Sequence, residues 1–255
     1  MKLNISNVQH FSVGDGAGIR TTVFFKGCDL CCPWCHNPEN LSEAPSTLCY
    51  ERLGKTEVLG REVTVEELLP ELLEDKDFYE TSGGGVTLSG GEVMLQSEGA
   101  AILAEKLKAQ GVSVLIDTAG CVPYERFKRL NASVEGYLFD FKTASAEDYK
   151  GIGGDLDLVK ENLSRLLKEG VNVTVRIPLI PDFNNSEDSV EAICLCLQEL
   201  GVGLVEVLPF HRLGIGKYEA MGLDYPYKDY QSFSLERLEE IKTQYAKYFE
   251  VKIGG

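Results

Sequence analysis

Strand patterns and helix patterns alternate six times along this chain, and this alternation constrains its fold more than any other feature. Apolar strand patterns occupy residues 20–26, 86–89, 112–117, 137–141, 171–178 and 203–209. Helix patterns follow them near residues 65–76, 97–110, 123–130, 157–169, 186–200 and 234–249. Such repeats predict a parallel sheet with right-handed crossovers. Six repeats are too few for a complete eight-stranded barrel, so an open partial barrel or a doubly wound sheet is expected.

Composition narrows the class of protein further. No shift in composition and no Pro- or Ser-rich linker divides the 255 residues, so we expect one domain over residues 1–255. A formal net charge of −15 and a pI near 4.7 argue against nucleic acid and anionic membranes as partners. No apolar run reaches the roughly 18 residues of a spanning helix, and no signal peptide is apparent. The sequence therefore predicts a soluble, cytoplasmic protein.

Three cysteines in one short turn carry the strongest chemical signal. Cys28, Cys32 and Cys35 follow the first predicted strand with the spacing C-x3-C-x2-C. Thiolates this close in sequence can converge on one metal centre. Three thiolates suit a 4Fe-4S cluster that keeps one iron free to bind a small molecule. An open iron of this kind predicts an enzyme.

Cys31 leaves an alternative open, because Cys28 with Cys31 and Cys32 with Cys35 also form two overlapping C-x2-C pairs. Zinc sites usually place a dozen or more residues between such pairs, whereas Cys31 and Cys32 are adjacent. A non-catalytic zinc or iron-sulfur binding module is the alternative from a different functional class. One cluster is predicted, because the remaining cysteines are too scattered in the sequence to hold a second one. These remaining cysteines are Cys49, Cys121, Cys194 and Cys196.

Polar or glycine-rich residues follow each predicted strand. The carboxyl ends of parallel strands meet at one edge of a sheet, where ligands bind in such folds. The sequence therefore predicts one site at this edge. Its members are the cysteine turn, Gly90-Gly91-Glu92, Asp117, Asp140-Phe141-Lys142, Arg176 and His211.

Several of these residues have two interpretations. Gly90 and Gly91 either bring a ligand close to the backbone or only form a turn. Asp140 and Lys142 lie on the same side of a strand. They either form a structural ion pair or bind the ammonium and the carboxylate of a ligand. Glu92 either adds a salt bridge or fixes the turn.

The stretch HFSVGDGAGIRTTVFFKGCDLCCPWCHNPEN resembles the glycyl-radical-enzyme activating enzymes of the radical S-adenosylmethionine (SAM) superfamily. The similarity continues through GGGVTLSGGE, IDTAG, LFDFK, VRIPLIPDFNN and LPFHRLGIGKY. It covers nearly the whole chain. The resemblance implies a single domain with the partial (β/α)6 TIM-like barrel of that superfamily.

The resemblance also implies site residues. Cys28, Cys32 and Cys35 would hold one 4Fe-4S cluster, whose open iron is chelated by the amino and carboxylate groups of SAM. Asp117 matches a position associated with the methionyl group or with a monovalent cation. The remaining residues implied in SAM binding are Trp34, Cys35, His36, Gly90, Gly91, Asp140, Phe141, Lys142, Arg176 and His211.

The implied activity is radical generation. A flavodoxin or ferredoxin would reduce the cluster, SAM would be cleaved to methionine and a 5'-deoxyadenosyl radical, and that radical would abstract hydrogen from a glycine in a loop of a partner glycyl radical enzyme. Residues 41–82 contain only Cys49, so the ferredoxin-like insertion of many relatives is absent, as in pyruvate formate-lyase activating enzymes. Val93 stands where many relatives have proline. The amino-acid sequence around the cysteines is more similar to that of the activators of dehydratases and other lyases. A radical SAM enzyme acting on a small molecule or peptide is the other alternative.

Overall fold

A large, mostly parallel sheet forms the centre of the molecule. The computed structural model describes residues 1–254. The strands in this part of the chain are β1 (Lys2–Ser12), β2 (Arg20–Phe25), β3 (Ser46–Tyr50), β4 (Lys55–Leu59), β5 (Arg61–Thr64), β6 (Gly85–Gly90), β7 (Ser113–Thr118), β8 (Gly136–Asp140), β9 (Val173–Leu179), β10 (Leu204–Pro209) and β11 (Glu250–Ile253). The helices are α1 (Val65–Leu73), α2 (Lys76–Ser82), α3 (Ser97–Ala109), α4 (Glu125–Leu130), α5 (Ala146–Gly151), α6 (Leu156–Lys168), α7 (Glu187–Glu199), α8 (Ile215–Met221) and α9 (Leu235–Tyr245).

The strand order confirms the predicted fold class. β2, β6, β7, β8, β9 and β10 are neighbours in that order, and each pair is parallel. β11 adds a parallel strand beside β10, whereas β1 pairs with β2 and with β5 in antiparallel fashion. The nine-stranded sheet ends at β5 and β11, so it does not close into a complete barrel. β3 and β4 form a separate two-stranded sheet.

The six predicted helices are present with differences at several ends, whereas α5 and α8 were not predicted. α1 begins after Thr64, which forms the capping box with Glu67 that a Thr–Glu spacing of three residues favours. The predicted helix over residues 65–76 is wrong in its length, because α1 ends at Leu73 and α2 is a separate helix. The strand patterns did not reveal β1, β5 or β11. β5 and β11 are short strands at the two edges of the sheet, and β1, which lies between β2 and β5, has many exposed or half-buried residues.

Alternation along the strands divides the sheet into an inner and an outer face. Leu115 and Asp117 of β7 line cavities inside the curved sheet, while Val114 and Ile116 are buried in the hydrophobic core. α3 covers this outer face with Leu103 and its neighbours. Successive side chains of a strand point to opposite faces, so each parallel strand serves both the core and the cavity. Among residues 1–254, no helix has both the length and the hydrophobicity that crossing a membrane requires.

Candidate active site

A cavity of about 360 Å³ lies at the carboxyl ends of the parallel strands. Its lining contains the residues predicted for the site except Glu92 and Phe141: Cys28, Cys32, Trp34, Cys35, His36, Gly90, Gly91, Asp117, Asp140, Lys142, Arg176 and His211. Phe141 does not line it. Its side chain is fully buried, and its ring packs edge-on against Tyr149 at 6.3 Å between ring centroids.

A second cavity, of about 480 Å³, lies at the opposite ends of the strands. None of the predicted site residues lines it. Arg20 borders this cavity and donates hydrogen bonds from Nη2 to the backbone oxygens of Val86 and Ser113. These bonds join the start of β2 to β6 and β7, which is a structural role. The chemistry-bearing residues are therefore concentrated in the smaller cavity.

The cysteine loop is closed at its base by backbone hydrogen bonds. Gly27 N donates to Asn40 O at 2.8 Å, and Cys28 N donates to Leu41 O at 3.2 Å. Gly27 has a φ of +91°, a conformation that glycine adopts at no steric cost. The closure places three cysteines against one cavity. Cys31 does not line that cavity and is exposed.

The donor set in this loop fits a 4Fe-4S cluster. Burial raises the pKa of Cys28 to about 12 and that of Cys35 to about 11, so a bound metal is what would hold these thiols as thiolates. Burial also raises the pKa of Cys32, and the charge of Lys142 opposes the rise. Within residues 1–254, no three His, Cys, Asp or Glu side chains converge on a single metal ion. In a 4Fe-4S cluster each thiolate binds a different iron, so the three thiols need not converge on one point.

A network of charged side chains forms another wall of the cavity. Lys142 Nζ donates to Asp140 Oδ2 at 3.0 Å, as their alternation along the strand favours. Arg176 lies between two acids, with Nη1 at 3.8 Å from Asp117 Oδ2 and Nε at 3.4 Å from Glu206 Oε2. Burial raises the pKa of Asp117 to about 6, although the charge of Arg176 opposes the shift.

Two acids of this region were not found by sequence reasoning. Asp15 lines the cavity, with Oδ2 accepting from Thr22 Oγ1 at 2.7 Å and its backbone oxygen accepting from Thr87 Oγ1 at 2.6 Å. Asp15 precedes β2, whereas the predicted site residues follow the carboxyl ends of strands. Glu206 lies within β10 and reaches the site through Arg176. Its inward position follows from strand alternation, which is the signal that could have revealed it.

Gly90, the last residue of β6, and Gly91, which follows it, are required by backbone packing. A Cβ atom on Gly91 would lie 2.1 Å from the backbone oxygen of Gly27. One on Gly90, whose φ is +107°, would lie 2.5 Å from the backbone nitrogen of Phe25. Both residues line the cavity, but these contacts with the end of β2 and the cysteine loop already explain why neither carries a side chain.

Glu92 fixes the turn and forms no salt bridge. Its Oε1 accepts from Met94 N at 3.0 Å and from Thr118 Oγ1 at 2.8 Å, and its Oε2 accepts from Ala119 N at 3.0 Å. No Lys or Arg nitrogen in the described chain lies within 4.0 Å of its carboxylate. Glu92 is 1% exposed, and burial raises its pKa to about 7. It connects the loops that follow β6 and β7.

Aromatic rings form the third side of the cavity. His36 and His211 stack with their ring centroids 4.0 Å apart, and His36 Nε2 donates to the backbone oxygen of His211 at 3.0 Å. Burial lowers the pKa of His36 to about 4, so the ring is neutral at physiological pH. Trp34 packs on Phe183 at 4.3 Å between centroids. This wall is flat, largely apolar and suited to a planar base.

Comparisons with known proteins identify the family. A model described as the radical SAM superfamily matches residues 22–193. Pyruvate formate-lyase 2-activating enzyme of Escherichia coli K12 is 40% identical over 242 residues, covering 88% of this chain and 83% of that protein. The chain belongs to the glycyl-radical-enzyme activating enzymes of the radical SAM superfamily. Trans-4-hydroxy-L-proline dehydratase activating enzyme of Clostridioides difficile is 35% identical to this activating enzyme, covering 98% of it and 99% of the relative.

Solved structures show the same fold. A domain of a pyruvate-formate lyase-activating enzyme from Bacteroides vulgatus matches with a TM-score of 0.56 and 23% identity, over 68% of this chain and 99% of that one. A radical SAM methyltransferase from Sphaerobacter thermophilus matches with a TM-score of 0.63 and 16% identity, over 92% and 66%. Membership of the superfamily implies a 4Fe-4S cluster and SAM as the cofactors of the activating enzyme.

Proposed function

We propose that this activating enzyme holds one 4Fe-4S cluster on Cys28, Cys32 and Cys35 and uses it to make a glycyl radical on a partner enzyme. When bound and reduced, the cluster would supply the electron for the cleavage of SAM to methionine and a 5'-deoxyadenosyl radical, which would remove a hydrogen atom from a glycine of the partner. The observation that carries the proposal is that the three thiols share one cavity with the Asp140–Lys142 pair.

The charged wall is complementary to the methionyl part of SAM. We assign Asp140 to its ammonium group and Lys142 to its carboxylate, because the two side chains present opposite charges at one edge of the cavity. Gly90 and Gly91 would contribute backbone groups. Phe141 supports the pair from behind through Tyr149, whose hydroxyl accepts the Lys142 backbone N–H at 3.0 Å.

The aromatic wall is assigned to the nucleoside. Trp34, His36 and His211 present flat surfaces and backbone polar groups, which suit an adenine ring, and Cys35 contributes through its backbone. Trp34 is 6% exposed, so this wall also excludes water from the reacting atoms. Because His36 is neutral, it would not repel the positively charged sulfonium of SAM.

Acids outnumber cations around the methionyl site. Asp15, Asp117 and Asp140 line the cavity together with Lys142 and Arg176. With Glu206, which lies 3.4 Å from Arg176, the acids exceed the cations by two, and this excess supports a monovalent cation beside Asp117 in addition to the sulfonium. Oxygen ligands of this kind suit hard cations.

We further propose that a flavodoxin or ferredoxin supplies the electron, that the glycyl loop of the partner enters this cavity, and that the protein is cytoplasmic. The whole site lies at the ends of strands of one sheet, which supports a single domain over residues 1–255. Residue 255 lies outside the described residues. The relatives activate different enzymes, so the identity of the partner is the remaining question.

EPR spectroscopy tests this function. The reconstituted protein should bind about four irons per chain and, with reductant, SAM and its partner under anaerobic conditions, give a glycyl radical doublet. Cys32→Ser should lose iron and the doublet, whereas the matched Cys31→Ser variant should keep both. A single zinc per chain would contradict the proposal. So would the release of 5'-deoxyadenosine from SAM in the presence of a small-molecule substrate, if no candidate partner gives a doublet.

A further inference from the structure

Arg176 is held between two carboxylates by charge, and neither contact is a hydrogen bond. Its Nε lies 3.4 Å from Glu206 Oε2, and its Nη1 lies 3.8 Å from Asp117 Oδ2. The longer distance exceeds that of a hydrogen bond, and Nε has no hydrogen-bond partner within residues 1–254. The position of the guanidinium group therefore depends on the balance of attraction between the two acids.

The strand register places Glu206 beside Arg176. Arg176 of β9 is the register partner of Asp140 on β8 and of Glu206 on β10, so the three side chains lie on one face of the sheet. Burial lowers the pKa of Arg176, but the charges of Asp117, Asp140 and Glu206 outweigh burial and raise it. Glu206 does not line the SAM cavity. It therefore acts on the ligand site through Arg176.

The end of the last strand packs against the other oxygen of Glu206. β11 pairs with β10, and Gly254 N donates to Val207 O at 2.9 Å. A Cβ atom on Gly254 would lie 2.7 Å from Glu206 Oε1 and 2.8 Å from Leu208 Cδ2. Residue 254 thus leaves room for the carboxylate of Glu206, which has one oxygen beside Gly254 and the other facing Arg176.

We propose that Glu206 is a positioning residue that keeps Arg176 between two acids, so that Asp117 retains a free negative charge for SAM. A neutral side chain at residue 206 would leave Asp117 as the nearer acid. The guanidinium group would then form a charge-assisted hydrogen bond with Asp117 and neutralise it. SAM carries a positive ammonium group and a positive sulfonium, so the loss of this free acid should weaken its binding. The inference rests on the proposed function, because it requires SAM in this cavity.

The test is the affinity of the cluster-loaded protein for SAM, measured by anaerobic calorimetry. Glu206→Gln keeps the shape of the side chain, removes its charge and should weaken binding about tenfold, within the range for residues of one ion-pair network. Gly254→Ala should also weaken binding, because the added Cβ displaces Glu206 while every charge remains. The matched control is Gly203→Ala directly before β10, whose Cβ meets no atom within 4 Å. Iron content and urea unfolding show whether each variant is folded.

A double-mutant cycle separates positioning from a structural role. In an Arg176→Met background, Glu206→Gln should cause little further loss of affinity, because no guanidinium group remains to be positioned. The same loss in both backgrounds would overturn the inference, and so would an unchanged affinity of Glu206→Gln or Gly254→Ala. If Arg176→Met does not fold, the comparison of Gly254→Ala with Gly203→Ala decides the question. A wild-type protein that binds no SAM would instead refute the proposed function.

Discussion

Glu92 should make the stability of this protein depend on pH, and Glu92→Gln should remove that dependence. Burial raises the pKa of Glu92 to about 7 from its ordinary value of 4.5. Between these values the folded protein holds a proton that the unfolded chain has released. The stabilising contribution is complete below the unfolded pKa and is lost as pH rises through 7. From pH 5 to pH 8 the loss is about 2.5 kcal/mol, since one pKa unit corresponds to about 1.36 kcal/mol.

The two variants of Glu92 separate this effect from hydrogen bonding. Glutamine offers one acceptor oxygen, so it can keep Met94 N and Thr118 Oγ1 but leaves Ala119 N–H facing its amide group. An unpaired buried donor costs about 1–3 kcal/mol. Alanine leaves all three donors unpaired and should be less stable than glutamine by about 2 kcal/mol or more.

Urea unfolding of the cluster-free protein and both variants at pH 5 and pH 8 measures these free energies. Relative to the wild type, Glu92→Gln should become less destabilising at pH 8 by about 2.5 kcal/mol. Groups other than Glu92 are common to both proteins and cancel in the difference. The same destabilisation at both pH values would refute the assigned pKa. Equal stability of the glutamine and alanine variants would refute the three hydrogen bonds.

Three further predictions concern the cavity. Gly91→Ala should lower the free energy of unfolding by about 1–3 kcal/mol and reduce the iron content, because its Cβ would collide with the backbone of Gly27. The control in the same urea and iron assays is Gly151→Ala, whose Cβ meets no atom within 4 Å. SAM affinity, measured by calorimetry, should weaken as pH falls below about 6, where Asp117 is protonated and loses its negative charge. Asp117→Asn should bind SAM more weakly and show no pH dependence near 6. A variant with the pH profile of the wild type would exclude Asp117 from SAM binding. Trp34 is the single tryptophan of the chain, so its fluorescence should change when SAM binds, and a constant spectrum under saturating SAM would contradict the aromatic wall.

The parallel core of the fold could be predicted because its signals are local. Four of the six central strands, β2, β6, β7 and β8, are almost entirely buried runs, and the helices between the strands carry their own periodicity and caps. The edges of the sheet were missed for the opposite reason. β11 is a four-residue run that becomes a strand only because β10 offers it a pairing edge. The separate ribbon of β3 and β4 likewise has little apolar alternation to detect.

The site divides in the same way. Cys28, Cys32 and Cys35 are close in sequence, and Lys142 follows Asp140, the last residue of β8, by two positions, so their proximity follows from spacing alone. The role of Glu92 did not follow, because its partners Thr118 and Ala119 belong to the next loop in the sheet. Sequence left two interpretations of this glutamate open, and its three hydrogen bonds decide for the one that fixes the turn.

By itself the sequence determined the parallel strand–helix fold, the cysteine loop and the family motifs, since each depends on residues that are neighbours along the chain. Only the tertiary structure decided which distant side chains meet. Lys217 contacts Glu39 across 178 residues, and His36 bonds to His211 across 175. Such contacts depend on the order of strands in the sheet and on the packing of α8 against the cysteine loop. Periodicity does not encode these distances, because they arise only when the elements pack together.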